Sequence, residues 1–182
     1  TRTAMQDCMA ELEGGKHGLA FASGLAASTT LMMTLKAGDH VVCSDDVYGG
    51  TFRLFDKVFK RFGLDFTFVD MTDLKKFETA FKPTTKVVWI ESPTNPMLKI
   101  IDIAATCAVA KKKGALSVVD NTFMSPFFQQ PLALGADIVL HSTTKYINGH
   151  SDVVGGVIVT SNDEVAERIR FHQNACGATP GP

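Results

Sequence analysis

Cysteine is scarce in this 182-residue chain, and its spacing argues against a zinc site. The four cysteines, Cys8, Cys43, Cys107 and Cys176, lie far apart and form no Cys-x-x-Cys pair. Structural zinc sites usually draw their ligands from such closely spaced pairs. Because Cys43 and Cys107 lie inside apolar runs, we expect buried free thiols in a reducing compartment. The sequence therefore predicts free thiols and no metal site.

An excess of charge and a long apolar run are also missing. The chain has 18 basic and 19 acidic residues, a formal net charge of −1, so electrostatics give no reason to expect nucleic acid or a membrane as a partner. No apolar stretch reaches the ~18 residues that a membrane helix requires, and the start has no signal-peptide pattern. We therefore expect a cytoplasmic protein that binds neither nucleic acid nor membrane.

What is present is a regular alternation of short apolar runs with amphipathic stretches. With 45% hydrophobic residues, the chain is long enough to bury one substantial core. Strands are predicted at residues 18–22, 40–43, 66–69, 87–90, 116–119, 138–140 and 156–160. Helices are predicted at residues 5–12, 25–35, 52–62, 72–81, 101–113 and 163–175. This spacing predicts an α/β fold, with a mostly parallel sheet covered by helices on both faces.

Polar residues follow most of the predicted strands, where ligands bind in open parallel sheets. These strand ends carry Ser23-Gly24, Asp45 to Tyr48, Glu91 to Asn95, Asp120-Asn121 and Ser142 to Lys145. The first of them is a small-residue turn that leads into a helix. Such a turn exposes unpaired backbone N–H groups at the positive end of the helix dipole, which favours an anion.

The segment from Asp137 to Asp152 has the densest chemistry in the chain. Its apolar run leads into Ser142, Thr144 and Lys145. A lysine at the mouth of a strand would be partly desolvated, which makes its amine a usable nucleophile near neutral pH. The two hydroxyls would offer donors to an anion beside it. An ordinary surface lysine after a strand fits these residues about equally well.

The chain resembles, over essentially its whole length, the Cys/Met-metabolism pyridoxal 5'-phosphate (PLP) enzymes, the transsulfuration family. The matching strings are Ser-Gly-Leu, Asp-Asp-Val-Tyr-Gly-Gly-Thr, Glu-Ser-Pro-Thr-Asn-Pro, Val-Asp-Asn-Thr-Phe and Thr-Lys-Tyr-Ile-Asn-Gly-His-Ser. The resemblance implies a PLP-dependent transferase of fold type I. It implies that residues 1–182 are an incomplete large domain, without the N-terminal arm and the C-terminal small domain. It also implies a homotetramer with active sites between subunits.

The resemblance assigns catalytic roles to Lys145 and Tyr48. Lys145 would bind PLP covalently and act as the base, and Tyr48 would stack on the cofactor ring. The glycines after Tyr48 would let the backbone approach a ligand closely. Asp120 would pair with the pyridine nitrogen and keep it protonated. Taken singly, the aspartate also fits a turn and the tyrosine an ordinary loop.

The remaining predicted residues hold the cofactor phosphate or the substrate. The phosphate is expected to bind Ser23, Gly24, Leu25, Ser142 and Thr144. Asn95, between two prolines, would bind a cofactor oxygen or the carboxylate of an amino-acid substrate, and a turn asparagine is the alternative. Arg53 would lie on the substrate side, and a surface helix arginine fits almost equally well.

The implied reaction is gamma-elimination on cystathionine, which gives cysteine, 2-oxobutanoate and ammonia. Gamma-replacement on an activated homoserine by cysteine, the cystathionine gamma-synthase reaction, is the alternative, and the motifs do not decide between them. Methionine gamma-lyases carry a cysteine where Gly49 and Gly50 stand here. Cystathionine beta-lyases are expected to lack the Tyr-Gly-Gly-Thr string. The resemblance therefore disfavours both of these activities.

Two hypotheses from other classes remain. Ser142 to Lys145 fits the Ser-x-x-Lys motif of penicillin-recognising serine acyltransferases, but the companion Ser-Asp-Asn and Lys-Thr-Gly strings are missing. A non-catalytic α/β module that binds an anion also fits the alternation of elements. Such a module has no need of Lys145, and the chain has no Gly-x-Gly-x-x-Gly fingerprint.

Overall fold

The computed structural model describes residues 1–181, which form one seven-stranded sheet with helices on both faces. The strands are β1 (His17–Phe21), β2 (His40–Ser44), β3 (Asp65–Val69), β4 (Thr85–Glu91), β5 (Leu116–Asp120), β6 (Ile138–His141) and β7 (Gly156–Thr160). The helices are α1 (Arg2–Glu13), α2 (Gly24–Met32), α3 (Gly49–Arg53), α4 (Leu74–Thr79), α5 (Ile103–Lys112), α6 (Ser125–Phe128) and α7 (Asp163–Cys176). The prediction of an α/β fold with a mostly parallel sheet is confirmed.

The strand order is β1-β7-β6-β5-β4-β2-β3. The run from β3 to β6 is parallel throughout, and β7 is antiparallel to both β6 and β1. Six strands therefore share one direction, and their carboxyl ends meet at one edge. The central strands are apolar and buried on both faces, as parallel strands must be when helices cover the sheet on each side.

Alternate residues of each strand pack into different layers. Trp89, with α2 and α7, lies in the core of one face. Val88 and Ile90 lie on the other face with α5, where α1 covers β7. Cys43 and Cys107 are buried free thiols, as expected. Among the helices of residues 1–181, none combines the length and apolar character needed to span a bilayer.

Side-chain caps fix where several helices begin. Asp73 accepts hydrogen bonds from the amides at the start of α4. Asp102 does the same for α5, so that helix begins at residue 103 and not at 101. Since an N-cap residue itself has non-helical backbone angles, the position of Asp102 sets this boundary.

The helix predicted at residues 52–62 was wrong in its start and in its regularity. Helix α3 begins at Gly49, and it continues as a π-helical turn (Leu54–Val58) and a 3-10 turn (Phe59–Phe62). These turns depart from 3.6 residues per turn, so an α-helical spacing no longer describes one face. Phe62, at the end of the predicted helix, is consequently 70% exposed.

Candidate active site

A cleft of about 490 Å³ opens at the carboxyl edge of the sheet. It is lined by Ser23, Gly24, Leu25, Ser28, Tyr48, Thr51, Glu91, Asn95, Asp120, Thr122, Phe123, Leu140, Ser142, Thr144, Lys145 and Val154. Nine of the ten predicted site residues are in this set, and only Arg53 is not. The volume is in the range of small-molecule pockets.

The turn from β1 into α2 presents backbone donors to the cleft. The Ser23 hydroxyl accepts a hydrogen bond from the amide of Ala26 (2.9 Å), and its carbonyl accepts one from the amide of Ala27 (3.1 Å). The first amides of a helix have no partner within the helix. The capping by Ser23 therefore leaves the amides of Gly24 and Leu25 for a ligand.

The same turn packs against the segment that follows β6. A Cβ atom placed on Gly24 would lie 2.8 Å from the Cβ of Ser142 and 3.0 Å from its Cα. Real Cβ atoms do not approach other atoms so closely, and the neighbour here is partly backbone. Glycine at position 24 is therefore required for the two predicted phosphate-binding turns to touch.

A hydrogen-bond chain joins the ends of β5 and β6. The hydroxyl of Thr122 accepts from the amide of Ser142 (2.9 Å) and donates to Oδ1 of Asp120 (2.5 Å). The Thr122 amide donates to the same oxygen (3.1 Å). Both bonds go to Oδ1, which leaves Oδ2 of Asp120 for a ligand. Thr122 thus fixes the carboxyl group and the serine turn relative to each other.

Lys145 lies four residues beyond the end of β6, in a turn fixed by its neighbours. The hydroxyl of Thr144 donates to the carbonyl of Gly155 (3.2 Å) and accepts from its amide (3.1 Å), so the turn is bound to the segment before β7. The expected desolvation of the lysine was wrong, because Lys145 is exposed. The cleft is open to solvent at this rim, and the sheet does not enclose a side chain so far beyond the strand.

Tyr48 stands at the opposite rim, 45% exposed. Its amide donates to Oε2 of Glu91 (2.9 Å). A Cβ atom on Gly50 would lie 2.3 Å from a ring carbon of Tyr48. The interpretation that the glycines let the backbone approach a ligand needs correction here, because Gly50 makes room for the ring of Tyr48 itself.

Two carboxyl groups lie side by side in the floor of the cleft. Glu91 and Asp120 are paired in register at the ends of β4 and β5. Burial, the charge of Asp120 and that of Asp46 raise the pKa of Glu91 to about 8, against the hydrogen bond from the Tyr48 amide. Burial also raises the pKa of Asp120, against the hydrogen bonds from Thr122 and the charge of His141. The floor therefore favours a cationic ligand group.

The two predicted substrate residues are placed differently. Asn95 is partly buried and lines the cleft, in a loop held by the hydrogen bond from the hydroxyl of Thr94 to Asp46 (2.5 Å). Arg53 is exposed at the end of α3 and lies beside Gly49, where its Nη1 is 3.5 Å from the position of an added Cβ. Arg53 is thus near the rim but outside the cleft lining.

Sequence reasoning gave no role to several residues of the cleft. Glu91 and Thr122 are the most consequential, since they contact the predicted residues Tyr48 and Asp120 directly. Both follow a predicted strand and lie within strings that resemble the family, and these were their only signals in the sequence. The contact of Glu91 with Tyr48 joins segments 43 residues apart, which local hydrophobic patterns do not specify. The contact of Thr122 with Asp120 is local, within two residues.

Comparisons with known proteins find relatives along the whole chain. The model of a protein family described as Cys/Met metabolism PLP-dependent enzyme matches residues 1–182 of the chain. The chain is 62% identical over 182 residues to a probable cystathionine gamma-synthase of Herpetosiphon aurantiacus, with 100% of this chain and 57% of that protein covered. It is 54% identical over 184 residues to a cystathionine beta-lyase of Coxiella burnetii, with 100% of this chain and 48% of that protein covered.

A solved structure is also similar to this chain. The crystal structure of cystathionine gamma-lyase from Lactobacillus plantarum complexed with L-serine superposes with a TM-score of 0.98 at 51% identity. That match covers 100% of this chain and 48% of the other. The chain thus spans about half the length of the relatives it matches.

Proposed function

Because this chain belongs to the Cys/Met metabolism PLP-dependent enzyme family, we propose that its protein is a carbon–sulfur lyase that performs gamma-elimination on cystathionine. The products would be cysteine, 2-oxobutanoate and ammonia. The observation that carries the proposal is one cleft that contains an amine, a buried carboxyl group, an aromatic ring and free helix amides. The similarity to a gamma-lyase of known structure supports it further.

The residues of the cleft fit PLP. The amides of Gly24 and Leu25 offer donors to a phosphate. The carboxyl group of Asp120 has its pKa raised by burial, which reflects a buried acid without a full cationic partner. A protonated pyridine nitrogen would supply that partner. Tyr48 offers an exposed ring for stacking, and Lys145 offers the amine for the covalent bond.

When bound, PLP supplies an electron sink for negative charge at the substrate alpha carbon. The residues of the chain do the rest. The amine of Lys145 would remove first a proton from the alpha carbon and later one from the beta carbon. The electrons of the second C–H bond would expel the gamma sulfur, which takes up a proton and leaves as cysteine. Asp120 would hold the proton on the ring nitrogen, and Tyr48 would offer its ring for stacking on the cofactor. The bonds between Thr144 and Gly155 keep the lysine turn in place.

Gamma-replacement is the second candidate, because the same groups serve it and the chain is 62% identical to a probable gamma-synthase. The sequence argument against beta-lyases gains no support from the comparisons, since a relative of that name is 54% identical. What the family does establish is PLP-dependent chemistry on sulfur amino acids. Which of the three reactions the protein performs is part of the proposal.

The wider organisation is also a proposal. Residues 1–182 would form part of the PLP-binding large domain, in a homotetramer whose active sites lie between subunits. The exposed rings of Phe127, Phe128 and Tyr146 support a covered surface near the cleft, because exposed apolar clusters mark interfaces. The buried free thiols of Cys43 and Cys107 support a reducing, cytoplasmic location.

The identity of the keto acid tests the reaction. The full-length protein, loaded with PLP and given cystathionine, should release 2-oxobutanoate as its main keto acid. Pyruvate as the main product would overturn the proposal in favour of beta-elimination. Faster formation of cystathionine from an activated homoserine and cysteine would overturn it in favour of the synthase. All three products can be measured on one preparation.

A further inference from the structure

Glu91 is the cleft carboxyl group for which the proposed chemistry has no use. It is 5% exposed, it is the last residue of β4, and it pairs in register with Asp120. Trp89 and Val118, two residues earlier on these strands, share one core face. Since strand side chains alternate between faces, Glu91 and Asp120 point to the same side. Two acidic groups are thus adjacent in one cleft.

No direct ion pair within residues 1–181 neutralises these two carboxyl groups. None of the ion pairs formed there involves Glu91 or Asp120. The other groups that face Glu91 are Asp46, from the loop after β2, and the buried thiol of Cys43 on β2 itself. Lys145 lines the same cleft but is exposed at its rim. Two ionised carboxylates so close together in a buried site would repel each other.

The hydrogen bonds decide which of the two carries the proton. Oδ1 of Asp120 accepts two bonds, from the hydroxyl and the amide of Thr122, and the charge of His141 also favours its ionised form. Glu91 accepts one bond, from the amide of Tyr48. Donors stabilise the charged form of a carboxyl group. Asp120 is therefore the better carboxylate and Glu91 the better acid.

We propose that Glu91 is a positioning residue that acts as a neutral carboxylic acid. One oxygen holds the backbone of Tyr48 at the rim, and the other keeps the proton. Asp120 is left as the one carboxylate of the floor for the ring nitrogen of PLP. Burial together with the charges of Asp120 and Asp46, which raise the pKa of Glu91 to about 8, agrees with this assignment. The inference rests on the cofactor of the family and holds for each of the three reactions.

The replacement Glu91→Gln tests the protonation state, because glutamine has the shape and the acceptor oxygen of a neutral acid. The pKa of Glu91 is raised from 4.5 to about 8 in the folded protein. Between these values the unfolded chain loses the proton while the folded protein keeps it, so stability falls as the pH rises and levels off above about 8. Because glutamine does not titrate, E91Q should not lose this stability as the pH rises.

We expect the cofactor-free, full-length E91Q protein to melt at nearly the same temperature as the wild type at pH 5. At pH 8.5 it should melt roughly 3 °C or more higher. The exposed Glu78 of α4 gives the matched control, because E78Q makes the same chemical change without burial and should show no such pH-dependent difference. A difference between E91Q and wild type that does not grow with pH would overturn the proposal.

PLP affinity tests the positioning role. E91Q keeps an acceptor for the Tyr48 amide and E91A does not, and loss of such an acceptor leaves a donor unpaired. By titration of visible absorbance at pH 7, E91Q should bind PLP about tenfold more tightly than E91A. If E91Q and E91A bind PLP equally weakly, the negative charge of Glu91 is needed for binding, and the proposal is overturned. Neither measurement uses cystathionine, so their failure is distinguishable from failure of the proposed reaction.

Discussion

The floor and the rim of the cleft are built in opposite ways. The floor consists of Glu91, Asp120 and Thr122, which end or follow parallel strands. Glu91 accepts a hydrogen bond from the Tyr48 amide, Asp120 accepts from Thr122, and Thr122 accepts from the Ser142 amide. The rim consists of Tyr48, at the start of α3, and Lys145, in a turn beyond β6, and both are exposed. The difference indicates that the sheet fixes the groups proposed to tune the cofactor, whereas the groups proposed to contact its reacting atoms are left accessible.

Lys145→Ala should have the largest effect on activity and almost none on stability. The side chain is exposed and forms no ion pair among residues 1–181. Loss of the base should lower turnover of the PLP-loaded, full-length protein by roughly 10³-fold or more, while the melting temperature stays within about 1 °C.

Lys113→Ala is the matched control for this prediction, since Lys113 is an exposed lysine at the end of α5. It should retain wild-type turnover. The assay is release of keto acid from cystathionine, together with a thermal melt of each variant. A large loss of stability in K145A would show that the rim is as structural as the floor, and the comparison would fail.

Gly24→Ala should instead damage both the contact between the two predicted phosphate-binding turns and the stability of the fold. The added methyl group would lie 2.8 Å from the Cβ of Ser142, so the two turns must separate. Such overpacking costs about 1–3 kcal/mol of stability, and the displaced amides should weaken PLP binding by roughly 10-fold. Denaturant unfolding and PLP titration measure the two effects.

Gly181→Ala is the corresponding control, because a Cβ atom there meets nothing within 4 Å. It should leave both quantities unchanged. Unaltered PLP affinity in G24A, despite lower stability, would separate the packing of the turns from ligand binding. The assignment of this turn to the cofactor phosphate would then be wrong.

Much of the arrangement of floor and rim can be predicted from the sequence. Short apolar runs alternating with helices predict parallel strands, and the polar residues after those runs then meet at one edge. Asp120, Ser142 and Lys145 were predicted in this way to lie together, and they line one cleft. Their roles toward PLP stay predictions.

What sequence patterns did not reveal depends on contacts between distant segments. The pairing of Glu91 with Asp120 requires the register of β4 and β5. On the opposite face of the sheet, buried Glu13 of α1 bonds His141 at the end of β6, and Asn121 donates to the same oxygen of Glu13 (2.9 Å). Partners more than 100 residues apart leave no local signal, because local patterns report only periodicity along one element.

Replacements of Tyr48 should have the smallest effects, because this rim residue contributes a surface and not a fixed charge. Its backbone amide, which bonds Glu91, survives any substitution except proline. Aromatic stacking is worth about 0.5–1.5 kcal/mol beyond burial, so Tyr48→Leu should weaken PLP binding about 2- to 10-fold. Tyr48→Phe keeps the ring and separates stacking from any contribution of the hydroxyl.

Absorbance titration of the full-length protein with PLP compares the two variants. If stacking is the role of Tyr48, Y48F should bind PLP more tightly than Y48L, and both should melt like the wild type, because the ring is already half exposed without a ligand. Equal losses in Y48F and Y48L would assign the contribution to the hydroxyl. The rim, like the floor, would then hold the ligand by a hydrogen bond. Floor and rim would differ only in how exposed their side chains are.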